Sequence, residues 1–376
     1  IEIKTSFKDE SRIHELSVSG ISTRVSQEKK QAYILKLVSE EGLINETVRV
    51  KKPLIGNPKD ITERLMKEVI GTTKDVWTEP SMFEIYMLPN RMRPFDLIAK
   101  YLNKCVPKIK SGFAETTVTS QKDETVERIT GSAGFFFWET ITGYYFKSID
   151  NLFKSAKELK KEGKVPKYSQ SSTMDALDLR NNFRIVSQPS WSTNHNLLQK
   201  LMSGQYASYN TFVDMLGNVH TIPVRDAKAS QQFQPTSDED GAVLANEVTH
   251  NPEEFLKESR IMLSVLDSRT FDPGEEYSNN PGKTNQEHVL YKSRIQSRYA
   301  SLFSEVLTIT VPMNVNLSAG SVVEVEFPRL NIDEPNSGHV NPASGLYMIK
   351  SLSHQLLAEG DYTGLKLVRD SYSELS

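Results

Sequence analysis

From Val306 to Arg369 apolar and polar residues alternate in short runs broken by turn residues. A period of two buries one face of a β-strand and leaves the other to water. Leu307, Ile309 and Val311 share one face of the first run, and Thr308 and Thr310 the other. In the second run Val323, Val325 and Phe327 oppose Glu324 and Glu326. Ser318-Ala319-Gly320 separates the two, a turn signal because glycine takes positive φ at little cost. A third strand is predicted over Tyr347–Leu352. A fourth is predicted over Gly364–Arg369, with Leu365 and Leu367 on one face. Gly360-Asp361 marks the turn between them.

Length sets the frame around these strands. The 376 residues suit about two or three domains and can bury a substantial core. Hydrophobic residues are 38% and charged residues 25%, the balance of a globular chain. A formal charge of -3 gives no electrostatic case for a nucleic-acid binder. The single cysteine, Cys105, excludes an internal disulfide. No apolar run reaches the roughly 18 residues of a membrane helix, so no membrane insertion of this chain is expected. The chain opens with Ile1 in mid-pattern and shows no secretory signal, so a longer N-terminus is expected.

Residues 1–40 read as a β-hairpin. Leu16 and Val18 alternate with polar neighbours, Ser26–Lys30 turns, and Tyr33, Leu35 and Leu37 alternate again. Two strands alone are marginal in water, so this pair must complete a sheet elsewhere. A helix is predicted over 57–71, with Asn57 as cap, Pro58 in the first turn and Gly71 at the end. Ile61, Leu65 and Val69 form its stripe. A second helix spans 93–104, where Phe95, Ile98, Leu102 and Cys105 share a face. Cys105 on that face reads as a small buried hydrophobe.

Gly134–Ser148 is the most aromatic segment and reads as a tight hairpin turned at Thr142-Gly143. Its rings could form a stacking platform for single strands. No basic residue interleaves with them before Lys147, which favours packing. A lysine-rich helix and linker follow over 151–167, with a domain boundary near 169–172. Further expectations are a helix at Thr193–Met202 and a strand pair at Tyr206–Val224 turned at Gly217-Asn218. Pro252–Leu266 could carry a helix and strand within the polar stretch 225–287. A last helix, His288–Leu302, presents Tyr291, Ile295, Tyr299 and Leu302.

Motifs for chemistry are absent. The seven histidines show no metal-ligand spacing. Neither GxxxxGK[ST] nor GxGxxG occurs, and there is no GxSxG elbow. Ser237–Gly241 (SDEDG) lacks the spacing and distal glutamate of a calcium loop. No catalytic residue, metal site or cofactor is predicted. Paired carboxylates for glycoside cleavage meet only in space, so sequence leaves them open.

The ordered blocks YKSRIQSRYASLF, LSAGSVVEVEFP, SGLYMIKSLSHQL and YTGLKLVRDSY, with Gly345, Tyr347, Ile349 and His354, carry a resemblance. They resemble the central baseplate hub protein of contractile-tailed bacteriophages. RIHELSVSGISTRVSQEKKQAYILKLVSEEGLINETVRV with DITERLMKEVIG is similar to that family's junction between its first and second domains. GFFFWETITGYYFKSIDNL is similar to its aromatic hairpin. Residues 203–287 carry no match.

The resemblance implies a mostly β, α+β chain. Two tail-tube-like antiparallel β-barrel or sandwich domains are expected, the first truncated, with a smaller inserted α+β domain. Residues 1–40 would be the remnant of the first domain. Residues 41–180 and 300–372 would form a discontinuous second domain, with 181–299 inserted. It also implies a homotrimer forming a pseudo-sixfold ring in the phage tail baseplate, assembled in the host cytoplasm. Its partners would be the tail tube protein, the central spike protein and other baseplate proteins, with DNA passing transiently. In such a ring Thr308, Thr310, Glu324, Glu326 and Lys366 would line the channel, where carboxylates repel phosphate. The competing readings are a tail-associated cell-wall hydrolase and a nucleic-acid-binding module.

Overall fold

The computed structural model describes residues 1–7, 10–27, 30–82, 84–107, 134–170, 182–193, 208–214, 219–224, 261–266, 299–300, 302–303, 305–328, 341, 343–358 and 360–369, with single positions at 198, 202 and 295. Among them the chain is mostly β with few helices. Most of the helix expected at 193–202, Tyr291, the turn at Gly217-Asn218 and the acidic Ser237–Gly241 lie outside the described residues.

The chain starts with two hairpins. β1 (Glu2–Phe7) pairs antiparallel with β2 (Glu10–Glu15), and β3 (Ser17–Gln27) with β4 (Lys30–Val38). The second is the hairpin expected from the alternation. Its register sets Val18 opposite Leu37 and Ile21 opposite Leu35. No third strand joins either pair among the described residues. Ile21 therefore stays 65% exposed and Tyr33 54%.

α1 (Glu40–Thr47) and β5 (Leu54–Gly56) lead to α2 (Pro58–Arg64). The Asn57 side chain accepts from the Lys59 N–H, capping α2 as its sequence implies. The helix then widens into a π turn over Leu65–Ile70 and stops at Gly71, whose φ of 77° closes it. The widening shifts the apolar face. Ile61 and Leu65 are buried as expected, but Ile70 takes the buried place and Val69 is half-buried.

β6 (Asp75–Thr78), β7 (Ile85–Met87) and α3 (Pro94–Leu102) follow. α3 buries Leu97, Ile98 and Tyr101, with Cys105 just beyond its end. β8 (Phe135–Glu139) and β9 (Gly143–Ser148) form the aromatic hairpin, with Phe137 opposite Phe146 and Trp138 opposite Tyr145. β6 joins β9 in parallel. One core holds these elements together, from Val50 and Ile61 through Tyr101 to Phe146, and it includes Ile295 from far along the chain.

α4 (Ile149–Lys161) carries the chain to a second sheet through β10 (Lys167–Ser169), β11 (Asn182–Arg184) and β12 (Ser190–Thr193). β13 (Ser208–Asp214), β14 (Val219–Val224) and β15 (Ile261–Leu266) make a separate three-stranded sheet. β16 (Glu305–Pro312), β17 (Val322–Glu326), β18 (Gly345–Leu357) and β19 (Gly360–Arg369) are the four strands read from the alternation. They join in a curled seven-stranded sheet of order β11-β10-β17-β18-β19-β16-β12.

The architecture is mixed where an antiparallel one was expected. β10 runs parallel to β11 and β17, β6 to β9, and β13 to β15. Parallel neighbours need a long crossover, and such distant returns leave no mark on local alternation. Residues 41–180 and 300–372 share the seven-stranded sheet through β10 and β17. β11 and β12 fall within 181–299 and also belong to it, so this sheet reaches past the boundary set at 181.

The curled sheet is packed on both faces. Leu307, Ile309, Val311, Val323, Val325 and Leu367 fill one core with Tyr347. Each fully buried aliphatic side chain there contributes about 1.5–3 kcal/mol. The opposite face packs Val322, Leu346, Met348 and Val368 against Ile149 and Ala156 of α4 and against Leu302.

Candidate functional site

The five polar residues singled out from the alternation lie on one face of the curled sheet. Thr308 on β16 sits directly opposite Lys366 on β19, and Thr310 is two residues further along β16. Glu324 and Glu326 share the corresponding face of β17, where Glu324 sits opposite the outward-packed Leu346. Thr308, Glu326 and Lys366 are exposed, and Thr310 and Glu324 are half-buried.

This is the face that carries α4. Lys160 of α4 approaches Glu324 at 3.7 Å, and Lys167 of β10 holds Glu326 at 2.7 Å. The hydrogen bond to Glu326 raises the Lys167 pKa above its ordinary value. Each carboxylate is thus matched by a lysine of its own chain. The open strip beside them carries Thr308, Lys366 and Ser351, with Lys366 and Ser351 in register. Sequence reading missed both lysines, because neither lies near its carboxylate along the chain.

A second polar cluster ties the N-terminal hairpins to the body. Ser39, between β4 and α1, donates to Glu139 at 2.9 Å. Lys74 bridges Glu139 at 2.7 Å and Glu41 at 2.9 Å, and Thr72 donates to Glu41 at 2.6 Å. Burial acts to raise the Glu41 pKa, but the Thr72 hydroxyl and Lys74 outweigh it, so the carboxyl stays below its ordinary value.

The aromatic hairpin is a packing device. Tyr145 stacks between Trp77 and Trp138, with centroid distances of 4.5 Å and 5.2 Å. These rings use their faces on one another, and Trp138 also lies against Gly320 of the β16–β17 connection. A stacking platform needs free ring faces, so the ladder does not offer one through Tyr145. Tyr299 clasps the same hairpin from the C-terminal half. Its hydroxyl accepts from the Phe135 N–H at 2.9 Å and donates to the Phe135 carbonyl.

Among the described residues no three His, Cys, Asp or Glu are placed to hold a metal. Cys105 is 1% exposed with its thiol against the Tyr101 carbonyl, and burial pushes its pKa up. His354 pairs with the Thr363 hydroxyl at 2.9 Å, and burial lowers its pKa, with His14 adding to the effect. No described helix is long and apolar enough to cross a membrane.

No protein family matches this chain by sequence, and no curated protein does. Solved structures match by fold. A tail protein from Neisseria meningitidis MC58 superposes with a TM-score of 0.52 at 12% identity, over 98% of this chain and 84% of its own. The 43 kDa tail protein of prophage MuSo2 from Shewanella oneidensis gives a TM-score of 0.46 at 12% identity, over 96% and 80%. Both neighbours are named as tail proteins, the second of a prophage, and the likeness is one of fold.

Proposed function

We propose that this chain is a structural component of a phage tail, a protein of contacts rather than catalysis. The observation that carries this is the fold likeness to the Neisseria tail protein, which runs over 98% of the chain. The apolar face of the β3–β4 hairpin supports it, because Val18, Ile21, Tyr33 and Leu35 are exposed and no third strand covers them among the described residues.

The finer reading is a baseplate hub. Three copies would close a pseudo-sixfold ring between the tail tube and the central spike and let DNA pass. Residues 1–40 would belong to the first tube-like domain, the two segments that share the curled sheet to the second, and the middle of the chain to an insert. Thr308, Thr310, Glu324, Glu326 and Lys366 would face the passage. With Lys160 and Lys167 beside the carboxylates, that wall would be close to neutral rather than strongly acidic. A neutral polar wall still gives phosphate no cation cluster to adhere to.

Electron microscopy of the concentrated protein tests the reading. Closed rings with threefold symmetry, with no release of peptidoglycan fragments from cell walls, support it. Compact single particles together with wall hydrolysis would replace it with the enzyme.

A further inference from the structure

A small apolar surface rimmed by cations lies away from the features used above. β5 and β7 pair with Leu54 and Met87 buried, so alternation turns Ile55 and Leu88 outward. Ile55 is 58% exposed and Leu88 56%. The Val50 N–H bonds the Met92 carbonyl at 3.0 Å, which lays residues 50–52 beside 90–92. Lys51, Lys52 and Arg91 are exposed there. None of the three forms an ion pair among the described residues. The nearby acids Glu46 and Asp96 are both engaged by Arg93, and Glu84 lies at the other end of β7.

The turn that presents Arg91 is itself informative. The Met92 N–H bonds the Pro89 carbonyl at 2.9 Å, and the two residues between, Asn90 and Arg91, have φ of 47° and 56°. Asparagine tolerates this region, and glycine is the residue the second place favours. An arginine there costs the fold and gains no partner among the described residues. That points to a contact outside the chain.

We propose that this surface docks an acidic segment of a partner protein, in which carboxylates flank one or two apolar side chains. The exposed pair Ile55 and Leu88 would seat the apolar groups, and Lys51, Lys52 and Arg91 would meet the carboxylates. An apolar centre with a charged rim is the build of a protein interface. The proposal does not rest on the ring reading.

The test selects short peptides from a random library on the folded chain and measures the winners by fluorescence anisotropy. The expected winners carry Asp or Glu around Leu, Ile or Phe. Their affinity falls about tenfold or more for the Lys51→Glu/Lys52→Glu chain. It falls several-fold for Arg91→Gly, whose melting temperature stays level or rises because glycine suits the turn. The proposal is overturned if no peptide is selected, if the winners lack acids, or if the charge-reversed chain binds them equally. Binding of a single-stranded oligonucleotide as tightly as the winners, in the same salt, also overturns it.

Discussion

Glu79 caps α4 from outside the helix. Its carboxylate accepts from the Ser148 N–H at 2.7 Å, the Ser148 hydroxyl at 2.8 Å and the Asn151 amide at 3.2 Å. Residue 79 follows β6, so one side chain fixes where α4 leaves the aromatic hairpin to lie on the curled sheet. Glu79→Gln turns an amide donor toward donors, and a loss of about 1–3 kcal/mol is expected. Burial raises the Glu79 pKa above its ordinary value, and the bonds from Ser148 and Asn151 offset only part of that. A carboxyl with a raised folded pKa binds protons better folded than unfolded. Its contribution is complete below the unfolded pKa and shrinks as pH rises through the folded one. Urea unfolding between about pH 4 and 7 should therefore show the gap between wild type and Glu79→Gln narrowing with rising pH. A gap that widens instead contradicts this electrostatic account.

Gly320 has φ of 82°, and a Cβ there would sit 2.4 Å from the Trp138 ring. Gly320→Ala combines backbone strain with overpacking, and should cost about 1–3 kcal/mol. Trp138 fluorescence should change with it. Unchanged emission and stability would mean that the turn and the ladder are not coupled.

Tyr299→Phe removes the group that both accepts from the Phe135 N–H and donates to its carbonyl. Leaving that backbone unpaired should cost about 1–3 kcal/mol. Hydrogen exchange at the Phe135 amide should quicken, whereas an unchanged rate would place Tyr299 elsewhere in solution.

Cys105 packs beside Tyr101 and Ile98 with its thiol buried and its pKa raised, both of which suppress thiolate. A thiol reagent should react with the native chain only as fast as the chain unfolds. Cys105→Ala should cost about 1 kcal/mol or more. Rapid labelling of native protein would contradict the burial.

The C-terminal strands were legible because apolar residues such as Leu307 and Ile309, or Val323 and Val325, repeat at the pleat period between clear turn residues. Asn57, Pro58 and Gly71 likewise wrote both ends of a helix into the sequence. The π turn between them was not legible, since it depends on Ile70 rather than Val69 finding the core. β10, β11 and β12 are three or four residues long, too short to show a period, and were missed. β1 was missed because Glu2–Phe7 alternates only weakly, with Ile3 and Phe7 its sole apolar residues. Of the candidate site, the shared face of Thr308, Thr310, Glu324, Glu326 and Lys366 followed from periodicity and register. The presence of α4 on that face did not, because it is set by contacts such as Glu79 with Ser148 and Lys160 with Glu324.

The central claim is that this chain works as one member of a closed assembly. Sedimentation across a wide concentration range tests it most directly. The account predicts a species of three times the 42.5 kDa chain mass that grows in with concentration. Changing Ile21 and Tyr33 on the exposed hairpin face to Ser should abolish that species without loss of fold. A chain that stays at 42.5 kDa at every concentration would contradict the account.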